Sequence, residues 1–185
     1  YQISHPGKKL LFMGGEFAQF IEWRYDQGLD WLLLDFDMHK KFRNYVQIIN
    51  RLYLNKKSLW ENDHSWEGFR WLDVDNKEDG ILAFIRQGKE DKDFTLIVLN
   101  FQPKVYQDYR VGVPFPGEYR EILNTDEERF GGSGQVNGTI LQSEEIPCHG
   151  RDYSLKITVP PLAGVMVEGV NEERGSGDEG SFCRC

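Results

Sequence analysis

Apolar positions along this chain change their pattern twice. Residues 10–13, Leu-Leu-Phe-Met, form an unbroken apolar run that ends at Gly14-Gly15, the pattern of a strand buried in a parallel sheet. Residues 1–9 read as the end of something helical followed by a turn at Pro6-Gly7. From Asp37 the spacing becomes three and four. Phe42, Tyr45, Val46, Ile49, Leu52 and Tyr53 share one face, with Lys40, Lys41, Arg43, Asn44 and Arg51 between them. This predicts an amphipathic helix of about 18 residues with Asp35 or Asp37 as its N-cap. After a polar connection around 58–67 the period falls to two. Segments 69–74, 81–86, 94–101, 109–113, 119–123, 153–159 and 162–167 are short, β-branched or aromatic-rich, and bounded by Gly, Pro, Asn or Asp. They predict seven strands, with an eighth near 139–142.

The fold class expected is therefore mainly β. An antiparallel β-sandwich over 63–168 follows a strand, long loop and helix over 1–62. Residues 169–185 are rich in Gly and charge without a hydrophobic period, which predicts a disordered tail. At 185 residues the chain can hold one domain, or one domain and part of another.

Charge and composition narrow the partners. A formal charge of −8, spread along the chain, argues against a nucleic-acid ligand and favours a neutral one. No apolar run approaches the roughly 18 residues of a membrane span. The three cysteines, Cys148, Cys183 and Cys185, have no disulfide-framework spacing and suit a reducing cytoplasm.

Few motifs carry chemistry. The "GGSG" at 131–134 lacks the Lys-Ser/Thr ending of a phosphate-binding loop and reads as a mobile turn. Asp73, Asp75 and Asp79 with Gly80 approach a calcium loop, but Lys77 holds a ligand position and Glu78 stands where glycine is needed, so a hairpin turn explains them better. His5, His39, His64 and His149 lack ligand spacing, and Cys183-Arg184-Cys185 has no second pair, so no metal site is expected. The acids 126–128 and 144–145 read as solvated loop charge. Glu16 and Glu22 differ, because they follow the first apolar run directly and stand among Phe17, Phe20, Trp23, Tyr25 and Trp31. Carboxylates beside flat aromatic faces suit a sugar site. The alternative is that Glu16 is a structural loop acid and the aromatics pack beneath the loop.

An ordered series of segments carries a family resemblance: "HPGKKLLFMGGEFAQ", "EW" at 22–23, "LDW" at 29–31, "NRLY" at 50–53, "GFRWLDVDN" at 68–76, "ILAFIR" at 81–86, "LNF" at 99–101, "YRVGVP" at 109–114, "ILNTDEERFGGSG" at 122–134 and "HGRDYSLKITVPPLAGVMV" from His149. Together they resemble the C-terminal portion of bacterial 1,4-α-glucan (glycogen) branching enzymes of the α-amylase family. The resemblance implies a (β/α)8 barrel followed by an all-β domain, with 10–13 as barrel strand eight, 37–55 within helix eight, and the intervening loop on the catalytic face. It also implies that the catalytic acids lie on barrel strands four, five and seven, so no residue here is assigned a catalytic role. Glu16, Trp23, Tyr25 and Trp31 are the expected substrate-contacting residues. The partners implied are an α-glucan and the missing barrel, with no cofactor. A second reading makes the β-domain a non-catalytic glucan-binding or stabilising module of another α-amylase-family enzyme.

Overall fold

The computed structural model describes residues 1–170. One α-helix, α1 (Asp37–Asn55), precedes eight strands: β1 (Phe69–Asp73), β2 (Ile81–Gln87), β3 (Phe94–Asn100), β4 (Tyr106–Val113), β5 (Glu118–Asn124), β6 (Leu141–Gln142), β7 (Tyr153–Val159) and β8 (Gly164–Gly169). A six-stranded sheet has the order β1-β2-β3-β8-β5-β6, and a two-stranded sheet pairs β4 with β7. Every pairing between these strands is antiparallel.

The period of two decides which layer each residue enters. Ile81, Ala83, Ile85, Leu96, Val98, Val165 and Val167 turn from the large sheet toward Val111, Val113, Leu155, Ile157 and Val159 of the small one. Their neighbours Phe84, Ile97, Leu99, Leu123 and Met166 turn the other way and meet Ile49 of α1, Leu59 and Phe130. The large sheet is thus covered on both faces at its centre. That is why β3 is buried from end to end and reads as a continuous apolar run although its neighbours are antiparallel.

The stripe predicted for α1 is the one that docks. Val46 and Ile49 are buried, and Tyr45, Ile48, Leu52 and Tyr53 pack around the second core. Polar ties continue the contact beyond the helix. Ser58 Oγ and Thr95 Oγ1 share a buried 2.7 Å hydrogen bond, and Lys56 pairs with Glu168, which also accepts from Arg120 at 2.7 and 2.9 Å. Residues 56–63 are therefore packed against the sheet.

Several sequence expectations need correction. Residues 10–13 form no strand: Leu10 is 71% exposed and Phe12 56%, and among the described residues no strand pairs with them. A parallel-sheet strand needs neighbours for its backbone groups, and here they are lacking. Neither Asp35 nor Asp37 caps α1. The N-cap is Phe36 in extended conformation with no side-chain cap, Asp35 ends a 3-10 turn, and Asp37 is the first helical residue, where its charge complements the helix dipole. The last strand starts at Gly164, because Leu162 sits at φ 49° with its side chain in solvent, and it runs through Gly169. Val170 N then donates to Glu118 O, so the predicted tail does not begin at 169. The rest of that tail, with Cys183 and Cys185, lies outside the described residues.

The two acidic clusters are also more engaged than their solvated reading allows. Asp126 is buried, and its carboxylate accepts from Ser133 N (2.9 Å), Ser133 Oγ (2.7 Å) and Gln135 N (2.9 Å). This closes the 126–135 loop and pins the "GGSG" turn expected to be mobile. Gly132 is required there, since a Cβ would lie 2.1 Å from the Asp126 carbonyl oxygen. Glu144 is paired with Arg110 at 2.7 Å.

Two testable consequences follow from this packing. Amide exchange is expected to be fast at 10–13 and slowest at Leu96, Ile97 and Val98; equal strong protection in both would reveal a sheet partner for the first segment. A second test is acid titration. Burial pushes the Asp126 and Glu168 carboxyls up, but hydrogen bonds from the 133–135 loop, and from Lys56 and Arg120, outweigh it and hold both below the usual range. Depressed folded values mean stability present above the ordinary carboxylate pKa of about 4 and lost as pH falls through the folded values. The urea midpoint should drop on acidification below about pH 5, and the drop should shrink in Asp126→Asn and Glu168→Gln. An unchanged profile in both variants would count against the assignment.

Candidate substrate-contact loop

The loop that follows residues 10–13 is built from a braced base and a bare tip. Met13 (φ 34°), Gly14 (φ 83°) and Ala18 (φ 58°) adopt left-handed conformations around a 3-10 turn at Gly15–Phe17. The turn is closed by Phe17 N and Gln19 N donating to Gly14 O at 3.2 and 3.1 Å. Phe17 is fully buried, and its carbonyl meets His39 Nδ1 at 2.8 Å, tying the loop to the first turn of α1. The ring of Trp31 packs on Phe17 at 5.2 Å, and a second 3-10 turn, Trp31–Asp35, buries Leu33.

Between these anchors residues 21–28 are all exposed. The Trp23 and Tyr25 rings lie 6.2 Å apart, tilted by 48°, and are 65% and 86% exposed. Arg24 and Asp26 form a two-pronged ion pair at 3.2 and 3.1 Å, which holds the Asp26 carboxyl below its usual range. Aromatic rings of this size are normally buried unless a partner covers them.

The four expected contact residues therefore divide. Trp23 and Tyr25 come together at the tip. Trp31 belongs to the base, packed on Phe17 with part of its ring in solvent, and half-buried Glu16 sits in the turn that carries Phe17. Sequence reasoning passed over Gln19 and His39, whose side chains hold the loop. Gln19 ends the "GGEFAQ" stretch at 14–19, and the spacing of His39 bears only on metal ligation, so neither residue is marked as a brace by its pattern.

Residues 71–169 match the alpha-amylase C-terminal all-beta domain. The chain belongs to that family. Its β-domain matches the α-amylase C-terminal domain from the second residue after β1 begins to the end of β8. Among curated relatives, the chain is 56% identical over 172 residues to the 1,4-alpha-glucan branching enzyme GlgB of Halothermothrix orenii, covering 93% of this chain and 27% of that protein. It is 51% identical over 168 residues to the GlgB of Desulfitobacterium hafniense, covering 91% and 27%. The chain thus spans about a quarter of the length of the curated relatives it matches. A solved structure, the alpha-amylase from H. orenii, superposes with a TM-score of 0.54 at 12% identity, over 91% of this chain and 33% of that one. That likeness concerns the fold.

Proposed function

We propose that this chain is the C-terminal part of a 1,4-α-glucan branching enzyme. The observation that carries the reading is 56% identity extending over 93% of the chain, through the N-terminal segment as well as the β-domain. The whole enzyme would cleave an α-1,4 linkage, hold the glucan chain on an aspartate, and transfer it to a glucan 6-hydroxyl as an α-1,6 branch. This is retaining chemistry by two inversions.

In this reading residues 1–62 are the last part of a (β/α)8 barrel and 63–168 the all-β domain. The exposed Leu10, Leu11 and Phe12 support it, since an apolar run left in solvent suits a sheet whose other strands lie elsewhere in the parent. A reducing cytoplasm suits the free thiol of Cys148. The test is debranching analysis of amylose treated with the full-length protein containing this segment. New α-1,6 linkages are expected; hydrolysis without them would favour another α-amylase-family enzyme.

Glu16, Trp23, Tyr25 and Trp31 are proposed as glucan contacts that position the chain. Stacking of an exposed aromatic on a flat ligand is worth on the order of 1–3 kcal/mol. Trp23→Ala in the full-length enzyme should therefore slow transfer roughly 5- to 150-fold. Melting temperature should not change, because the indole is 65% exposed. Lost stability with unchanged specific activity would instead place Trp23 in the packing beneath the loop.

A further inference from the structure

The tip at 21–28 has two legs, and one side chain bonds both. Gln19 Oε1 accepts from Asp30 N at 2.9 Å, eleven residues away, while Gln19 Nε2 donates to Ile21 O at 2.8 Å. The first bond ties the leg leaving the tip, and the second ties the leg approaching it. The carboxamide is itself held in place. Gln19 N donates to Gly14 O, and a Cβ on Gly14 would lie 2.9 Å from Gln19 Cβ and 3.0 Å from Oε1. Glycine at that position leaves room for the amide against the turn.

We propose that Gln19 is a positioning residue for glucan binding, closing the neck of the tip so that Trp23 and Tyr25 stand ready as one aromatic platform. This rests on the reading of the tip as a glucan contact. The task needs an acceptor and a donor on one short terminus, which a carboxamide supplies. A carboxylate offers acceptors alone, and an aliphatic side chain neither. Fixing the neck before glucan arrives removes part of the ordering cost that binding would otherwise carry.

Three readouts on the 185-residue chain test this: exchange at the Asp30 amide, the 19F resonance of Trp23 in 5-fluorotryptophan-labelled protein (assigned by its loss in Trp23→Phe), and titration of that resonance with maltoheptaose. In Gln19→Leu, Asp30 exchange should quicken roughly five-fold for one lost hydrogen bond. The Trp23 resonance should move and sharpen, and maltoheptaose should bind several-fold more weakly. Gln19→Glu keeps the acceptor for Asp30 N but loses the donor to Ile21 O, so Asp30 should stay protected while the Trp23 resonance moves; an unmoved resonance in this variant overturns the proposal even should the leucine variant not fold. An unaltered Trp23 resonance alongside faster Asp30 exchange would overturn the proposal, leaving Gln19 a local brace. If the parent chain's Trp23 resonance ignores maltoheptaose, the glucan reading of the tip fails and the proposed role of Gln19 falls with it. Asp30 exchange and the Trp23 line shape would then still report whether Gln19 shapes the tip, so the two failures are distinguishable.

Discussion

Arg86→Ala is expected to lower the stability of this chain by about 3–5 kcal/mol, a large share of the 5–15 kcal/mol typical of a domain. Arg86 lies on β2 with no exposed surface and reaches three segments at once. Its Nε donates to Gly68 O (3.1 Å), Nη1 to Ser4 O (2.7 Å), and Nη2 to the Asp63 carboxylate, which is itself only 9% exposed. Burial lowers the guanidinium's pKa and Asp63 opposes that shift, but an arginine remains charged, so the pair must be considered as ions. Truncation would leave a buried carboxylate and two carbonyls without donors. Removing both charges, as in Arg86→Met with Asp63→Leu, should cost less than Arg86→Ala, since a buried pair often does little better than an apolar one. It should not be neutral, because Ser4 O and Gly68 O still lose their donor. Urea denaturation measures both; a loss under about 1 kcal/mol for Arg86→Ala would show that the hub contributes no more than an exposed ion pair.

The same hub illustrates what sequence could and could not disclose. The strands around it were legible, because a period of two in Ile81, Ala83 and Ile85 has one cause, a core on that side of the sheet. The helix was legible for the same reason at its own period. Arg86 carried no such signal. A single arginine at the end of a strand usually faces water, and only the chain path bringing Ser4, Asp63 and Gly68 around it reveals the buried role. The alternation predicts β4 only from 109, three residues short, since the irregular register between Tyr106 and Tyr109, with Asp108 at φ 53°, interrupts it. Sequence pattern does not mark Asp126, because a loop acid that organises its own loop resembles one that is solvated. Residues 10–13 fail differently: their apolar pattern is that of a sheet strand, and among the described residues no strand pairs with them. In the candidate loop, the tip aromatics were legible by composition, whereas the bracing by Gln19 and His39 depends on backbone atoms that no residue pattern specifies.

The 185-residue chain by itself should leave amylose unbranched, the largest effect expected here. Retaining transfer needs a nucleophile and an acid held about 5–5.5 Å apart. The paired or hydrogen-bonded carboxylates described above are already committed: Asp63 to Arg86, Asp126 to its loop amides, Glu144 to Arg110, Glu168 to Lys56 and Arg120. Glu121 accepts from Asn124 and Asn137, and burial pushes its carboxyl up. Glu16 is proposed only as a contact residue. On the proposed reading the nucleophile and acid belong to barrel strands outside this segment. Groups of that kind act as a unit, so a chain lacking both loses the whole advantage, on the order of 10⁶-fold, and not a fraction of it. Proton NMR of amylose incubated with the purified chain should show no α-1,6 anomeric signal above buffer, while the full-length protein should produce one. A branched product from the purified chain would mean that a carboxylate pair within it is competent, and the assignment of this segment as a non-catalytic part would have to be given up.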